Sequence, residues 1–232
     1  KQKEEEFAET IRILYVAMTR AKDILVMSAV VKDLNRKPQK WFLSDTHFSQ
    51  ERTLELSHRP FRNIQEMDFA LISNWNKHIT VNDTVYFLGD FGESFEYLNL
   101  LNFKELHFVL GNYERKDKDG NDITKQSVKT LSKIQGVTVY ENRGDCRVKL
   151  KNKQEVVCIH EPICPANERD YTDFSEETCL YGHIHGRTYY KSNGTDCGVD
   201  INGFAPLSED DVLWRLNAIQ FLDENVWRGT CV

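Results

Sequence analysis

No stretch of this 232-residue chain is apolar for long enough to cross a bilayer; runs such as Ile24 to Val31 fall far short of the roughly 20 residues required. No secretory leader is visible either, because Lys1 to Glu6 are mostly charged and no apolar segment follows a basic head. The six cysteines (146, 158, 164, 179, 197 and 231) contain no C-x-x-C pair, which speaks against a thiolate metal knot and a disulfide framework. Reduced thiols and a cytoplasmic location are the expectation. An excess of positive charge is also lacking. The formal net charge is −6, so nothing in the composition points to a nucleic-acid surface. Gly-Lys-Thr and Gly-Lys-Ser are absent, which removes a phosphate loop for nucleotide triphosphates.

What is present is the balance of a soluble globular protein, 40% hydrophobic and 28% charged. Three regions are expected: residues 1–31 as a helix and strand, 32–40 as a polar linker containing Pro38, and 41–232 as the main domain. Phe7, Ile11, Leu14, Tyr15 and Met18 carry the helical period of the first region. Beyond Trp41 short apolar runs alternate with helical patterns. Residues 41–43, 84–88, 106–110, 155–159 and 179–181 read as buried strands. Ile64, Met67, Leu71, Ile72, Trp75 and Ile79 mark one face of a long helix. A weaker helix through Val128, Leu131 and Ile134 should stop at Gly136. Hairpins are expected at Lys151-Asn152-Lys153 and at Ser192-Asn193-Gly194, and a last helix should begin at Ser208 with Asp211 capping it. The expected class is α/β with mixed sheets.

The chemistry lies at the ends of those strands. The five apolar runs lead into Asp45-Thr46-His47, Gly89-Asp90, Gly111-Asn112, His160 and Gly182-His183-Ile184-His185. Strand carboxyl ends form the ligand crevice of α/β sheets. Alternate residues of an extended segment share a face, so Asp45 and His47 are expected to reach one ion together, as are His183 and His185. Four imidazoles, two carboxylates and one amide suit Mn, Fe, Zn, Co or Ni better than calcium. Seven ligands exceed one tetrahedral site and suit two ions sharing a carboxylate, about 3.5–4 Å apart. Any one of these motifs is common, and a single buried histidine is more often a core residue. Five in order, each after a β-type run, are hard to obtain by chance. His78 and His107 read as core or surface residues, and Asp117 to Asp122 as an exposed turn.

These blocks resemble the calcineurin-like metallophosphoesterase superfamily, in its compact bacterial and phage-type form, over about residues 40–222. The resemblance implies a four-layer α/β/β/α sandwich with two mixed sheets, and a hydrolase of phosphate esters. Asp45, His47, Asp90 and His185 would hold one divalent metal ion; Asp90, Asn112, His160 and His183 would hold the other. Asp90 bridges, and a hydroxide between the ions attacks phosphorus. Asp90, Tyr113 and His160 are the candidate catalytic residues. Arg59 and Arg115, just past ligand loops, are candidates for substrate phosphate. The family's third block usually reads Gly-Asn-His, whereas Tyr113 follows Asn112 here. A phenol donates a proton to a leaving oxygen less readily than an imidazolium. Diesters or activated esters are therefore expected over monoesters. The substrate is expected to be a phosphate ester, including nucleotides, with no membrane partner and nucleic acid not indicated by charge.

Glu4-Glu5-Glu6, Leu14 to Lys22 and Ile24 to Met27 are similar to the last motif of UvrD-like superfamily 1 helicases, with Arg20 at the ATP-contacting position. That likeness, and an opening residue that is Lys1, lead to the expectation of a fragment of a longer helicase fusion or a joined genomic piece. Two alternative readings follow from these features: a catalytically weakened metal-binding module, and a nucleic-acid processing component.

Overall fold

The computed structural model describes residues 36–162, 177–186 and 194–220. The chain divides into two compact units, Lys1–Lys37 and Pro38–Val232. The expected helicase-like helix and strand lie outside the described residues.

Strand β1 (Lys40–Leu43) is followed by helix α1 (Glu51–Leu56) and the long helix α2 (Ile64–His78). Then come β2 (Thr84–Phe87), a 3-10 turn (Phe95–Leu100), β3 (Glu105–Val109), the one-turn helix α3 (Asn112–Arg115), α4 (Thr124–Leu131) and β4 (Val137–Tyr140). The second half holds β5 (Cys146–Lys149), β6 (Glu155–Cys158), β7 (Cys179–Tyr181), β8 (Gly194–Asp196), a 3-10 turn (Val199–Ile201), β9 (Leu207–Ser208) and α5 (Glu209–Gln220). One sheet has the order β4-β3-β2-β1-β9 and the other β5-β6-β7-β8. Strands β1 to β4 are parallel and β9 is antiparallel to β1; β5 is antiparallel to β6, while β6, β7 and β8 are parallel. Both sheets are mixed, as expected.

Period-two alternation divides the first sheet between two cores. Trp41, Leu43, Val85, Phe87, Leu106 and Phe108 face α2 and α4, packing on Met67, Leu71, Trp75 and Leu131. Phe42, Tyr86 and Val109 face the other way and meet Val148, Val156, Cys158 and Leu180 of the second sheet. Val157, Ile159, Cys179 and Tyr181 form a third buried cluster on the remaining face of that sheet. Among the described residues this is helix upon sheet upon sheet. Burying one sheet on both faces fixes its strands rigidly, and their carboxyl ends inherit that rigidity.

Local expectations fare unevenly. The turn 151–153 does join antiparallel strands. At the start of α5, Ser208 N–H donates to Asp211 Oδ2 (2.9 Å) and Asp211 N–H to Ser208 Oγ (3.1 Å), a reciprocal cap. Gly194, by contrast, opens a strand whose ladder to β7 is parallel, and residues 187–193 lie outside the described set. Helix α4 ends at Leu131, with Gly136 at φ +83° leading into β4. The segment between the first ligand block and α2 contains the short helix α1. The Asp117 carboxylate accepts from Asp119 N–H and Asn121 N–H, making the expected exposed turn. Cys146, Cys158, Cys179 and Cys197 are buried free thiols.

Candidate metal centre

The strand ends do not simply run out into solvent. Asp45 N–H donates to the Gly89 carbonyl (3.0 Å), His47 N–H to Asp90 (3.1 Å) and Phe48 N–H to Phe91 (2.8 Å). Beyond the regular ladder, the loops after β1 and β2 therefore stay laced together. On the second sheet, Gly182 N–H donates to the His160 carbonyl at 3.0 Å. The Asp45 carboxylate then ties the two sheets, accepting His183 N–H at 2.9 and 3.0 Å. A side chain on Gly182 would collide with Ser44 and Asp45, so only hydrogen fits where these loops cross.

The backbone corrects one expectation. Asp45 and His47 are not alternate residues of an extended segment, because their φ angles are +60° and +51°. His183 (+72°), His185 (+48°) and Asp90 (+58°) share this left-handed conformation. Such geometry costs about 1–2 kcal/mol for each non-glycine residue. Five strained residues, all candidate ligands, indicate that the surrounding hydrogen bonds overrule local preference in order to aim these side chains.

The side chains gather in two groups. Asp45, His47 and His185 present ligand atoms within 4.8 Å of one another, and so do Asp90, His160 and His183. Asp90 Oδ2 stands 3.3 Å from His160 Nε2 and 3.7 Å from His47 Nε2, between the groups. Asn112 Oδ1 lies 3.0 Å from both His160 Nε2 and His183 Nδ1. All seven sequence-derived ligands thus come together.

Partners on the far side of each ring fix which nitrogen faces inward. His160 Nδ1–H donates to the Leu88 carbonyl at 2.7 Å, and His185 Nδ1–H to Asp200 Oδ2 at 2.8 Å. His47 Nδ1 pairs with Gln50 Oε1, which leaves Nε2 buried with no hydrogen-bond partner among the described residues. Buried polar atoms are rarely orphaned. A divalent cation facing this lone pair would satisfy it, and the mixed nitrogen and oxygen donors suit such an ion.

Electrostatics follow from burial and proximity. Burial pushes the Asp45 carboxyl up to about 7, with His160 pulling down and Asp90 pushing further up. Burial lowers His47 to about 4. Burial also opposes charge on His160, but the Asp90 carboxylate outweighs it and raises the imidazole to about 10. Asp90 is held below the usual carboxylate range, because His160 and His47 outweigh its own burial.

Glu114, whose role sequence reasoning missed, clasps two ligand loops. Its fully enclosed carboxylate accepts from Asp90 N–H (2.9 Å), Phe91 N–H (2.8 Å) and Gly111 N–H (2.8 Å). Burial, with Asp90 nearby, raises it to about 6 despite these bonds. Gln50 and Asp200 were missed as well. Nothing in the chain tells which groups these residues touch, because those partners meet only on folding.

Arg59 is a correction. Its guanidinium is wholly enclosed, and every donor is taken by Asp200, Thr46, Asp45 and Met67, so it has nothing left for a substrate phosphate. Arg115 donates to the Glu141 carbonyl past β4. Tyr113 is 37% exposed, with its ring edge-on to His47 at 4.9 Å and its N–H on Asp90 Oδ1 at 3.1 Å. His107 stacks on Tyr86, and His78 packs near Trp41, both away from the two groups.

A family model described as the calcineurin-like phosphoesterase superfamily domain matches residues 41–202, and all seven gathered ligands fall inside it. The chain belongs to the calcineurin-like phosphoesterase superfamily. An uncharacterized protein of Methanocaldococcus jannaschii is 39% identical to this phosphoesterase-family chain over 82 residues, 32% of this chain and 46% of the archaeal protein. An ATP-dependent helicase/nuclease protein of Bacillus mycoides is 47% identical over 47 residues, 20% of this chain and 4% of the bacillar protein. The chain therefore spans less than half the length of either curated relative. Among solved structures, a protein of unknown function from Aquifex aeolicus shares the fold at a TM-score of 0.54 and 23% identity, covering 77% of this chain and 100% of that one. No helix among the described residues is long and apolar enough to cross a membrane.

Proposed function

We propose that this chain is a metal-dependent phosphoesterase that hydrolyses phosphate esters, diesters in preference to monoesters, at a two-ion site. The observation that carries this reading is the placement of Asp90 Oδ2 between His160 Nε2 and His47 Nε2. One carboxylate there can face both groups. Asp45, His47, Asp90 and His185 would hold one ion, and Asp90, Asn112, His160 and His183 the other. Divalent ions in such a pair supply an acidified water and offset charge on phosphoryl oxygens.

The chain's own groups do the positioning. Leu88, Gln50 and Asp200 each hold one ring nitrogen, so that the second nitrogen of His160, His47 and His185 is turned inward. Glu114 keeps the Asp90 and Asn112 loops at a fixed spacing. Tyr113 sits at the open side of the His47 ring, where the family pattern has an imidazole. A phenol is the weaker general acid, which favours esters whose leaving group departs unaided. Phosphodiesters with acidic leaving groups, nucleotides included, fit that description, and Mn, Fe, Zn, Co or Ni suit the ligands.

Incubation with Mn or Ni and a bis-aryl phosphate tests the reading. Metal-dependent release of the phenol that disappears in Asp90→Asn is the expected result. An identical rate from that variant, or none from either protein with any of the five metals, defeats it.

A further inference from the structure

A continuous chain of polar contacts runs from the interior to one ligand group. Arg59 Nε and Nη2 donate to Asp200 Oδ1 and Oδ2 at 2.8 and 2.9 Å, a two-pronged pair. The same Oδ2 accepts from His185 Nδ1 at 2.8 Å. Arg59 Nη1 donates to the Thr46 carbonyl at 2.8 Å, and Nη2 to the Asp45 carbonyl at 2.5 Å. One guanidinium therefore grips the backbone that carries Asp45 and, through Asp200, the imidazole of His185. Both partners are anchored independently: Arg59 N–H donates to the Leu54 carbonyl, and Val199, just before Asp200, donates its N–H to the Ser44 carbonyl.

The other buried ligand rings rest on neutral groups. His160 Nδ1 meets the Leu88 carbonyl, and His47 Nδ1 the amide of Gln50. His185 has an anion behind it instead, with Asp200 Oδ2 at 2.8 Å from Nδ1 and the Ser57 hydroxyl further off at 3.1 Å from the same nitrogen. A carboxylate there keeps the proton on Nδ1, makes Nε2 a stronger donor and prevents the ring from rotating; Nε2 then faces Asp45 Oδ1 at 4.0 Å. We infer that Arg59 and Asp200 are positioning residues that set the divalent-ion affinity of the Asp45, His47 and His185 group and leave that of the Asp90, His160 and His183 group unchanged. The inference rests on the metal-site reading above.

The test is a titration of the metal-free chain with Mn2+, following free ion by its EPR signal. The wild type should show two uptake steps. Asp200→Asn, which keeps shape and an acceptor oxygen but removes the charge, should weaken one step by about 10–100-fold and spare the other. Asp200→Glu should recover part of the loss. Nitrogen-15 shifts of the His185 ring in the metal-free chain give a second readout, with an Nδ1–H ring in the wild type and mixed tautomers in Asp200→Asn. If Asp200→Asn does not fold, Arg59→Lys, which keeps the charge and loses the fork, should weaken the same single step. Wild-type affinities in the variants, or both steps weakened alike, overturn the inference while leaving the metal-site reading standing. No uptake by the wild type overturns both.

Discussion

The Glu114 carboxylate accepts the backbone N–H of Asp90 at 2.9 Å, from inside the protein and 24 positions further along the chain. The bridging candidate is thus held by its main chain as well as by its side-chain neighbours. Glu114→Ala would leave three enclosed N–H groups, those of Asp90, Phe91 and Gly111, without an acceptor. At about 1–3 kcal/mol for each unsatisfied group, a loss of at least about 3 kcal/mol is expected by urea denaturation. Glu114→Gln keeps one acceptor oxygen and should lose less. A loss below about 0.5 kcal/mol in the alanine variant would show that the clasp contributes little.

Arg59 bears on stability rather than on substrate capture. Removing its charge with Arg59→Met strands the Asp200 carboxylate, which is largely enclosed. Breaking a buried pair from one side costs about 3–5 kcal/mol. The urea midpoint should fall accordingly. With the metal ion held at saturation, KM for a small diester in the folded fraction should stay near wild type. A large rise in KM with unchanged stability would restore the phosphate-binding role that the geometry takes away.

Tyr113→His tests the leaving-group argument. An imidazole in that position should raise turnover of an alkyl phosphomonoester by about 100-fold, the lower end of general-acid contributions. Turnover of a bis-aryl phosphate, whose phenolate leaves without a proton, should change by less than about threefold. Equal effects on both substrates would remove Tyr113 from any account of specificity.

Metal uptake should release protons. His160, raised to about 10 by Asp90, carries a proton at neutral pH in the metal-free chain, and Asp45, raised to about 7, carries one part of the time. Ligation requires both groups to be deprotonated. Calorimetry in two buffers of different ionisation enthalpy should therefore report about one to two protons released at pH ~7. Apparent affinity should rise with pH as that competition fades. No buffer dependence would mean that these groups do not meet the ion.

His47 sets a pH dependence of the opposite origin. Its folded value, about 4, lies below the ordinary 6.5, so the unfolded chain binds this proton first. Stability from this group is complete above about 6.5 and is lost as pH falls towards about 4. Asp45 and Glu114, whose folded values are raised, act the other way over the same range. The His47 contribution is therefore read as the stability difference between the metal-free wild type and His47→Gln, which should shift against the wild type by on the order of 3 kcal/mol as pH falls across that window. Urea midpoints at stepped pH values decide the matter, and parallel curves would reject it.

The chain by itself determined the architecture and the identity of the seven gathered side chains. Two signals, the short apolar runs of the strands and the helical stripe through Met67, Leu71 and Trp75, are local properties of consecutive residues, and each ligand motif sits directly after such a run. Local pattern could not reveal how those motifs are aimed. Asp45 and His47 look like neighbours on an extended segment, yet both occupy the left-handed region because Gly89 and Asp90 claim their N–H groups from another strand. Arg59 follows ligand loops as a phosphate-binding arginine might, yet Asp200, 141 positions away, turns it inward. Glu114, Gln50 and Asp200 gain their roles only from contacts made on folding. Hydrophobic order is written along the chain one residue after another, whereas satisfying buried polar atoms depends on which distant groups meet, and only tertiary structure decides that.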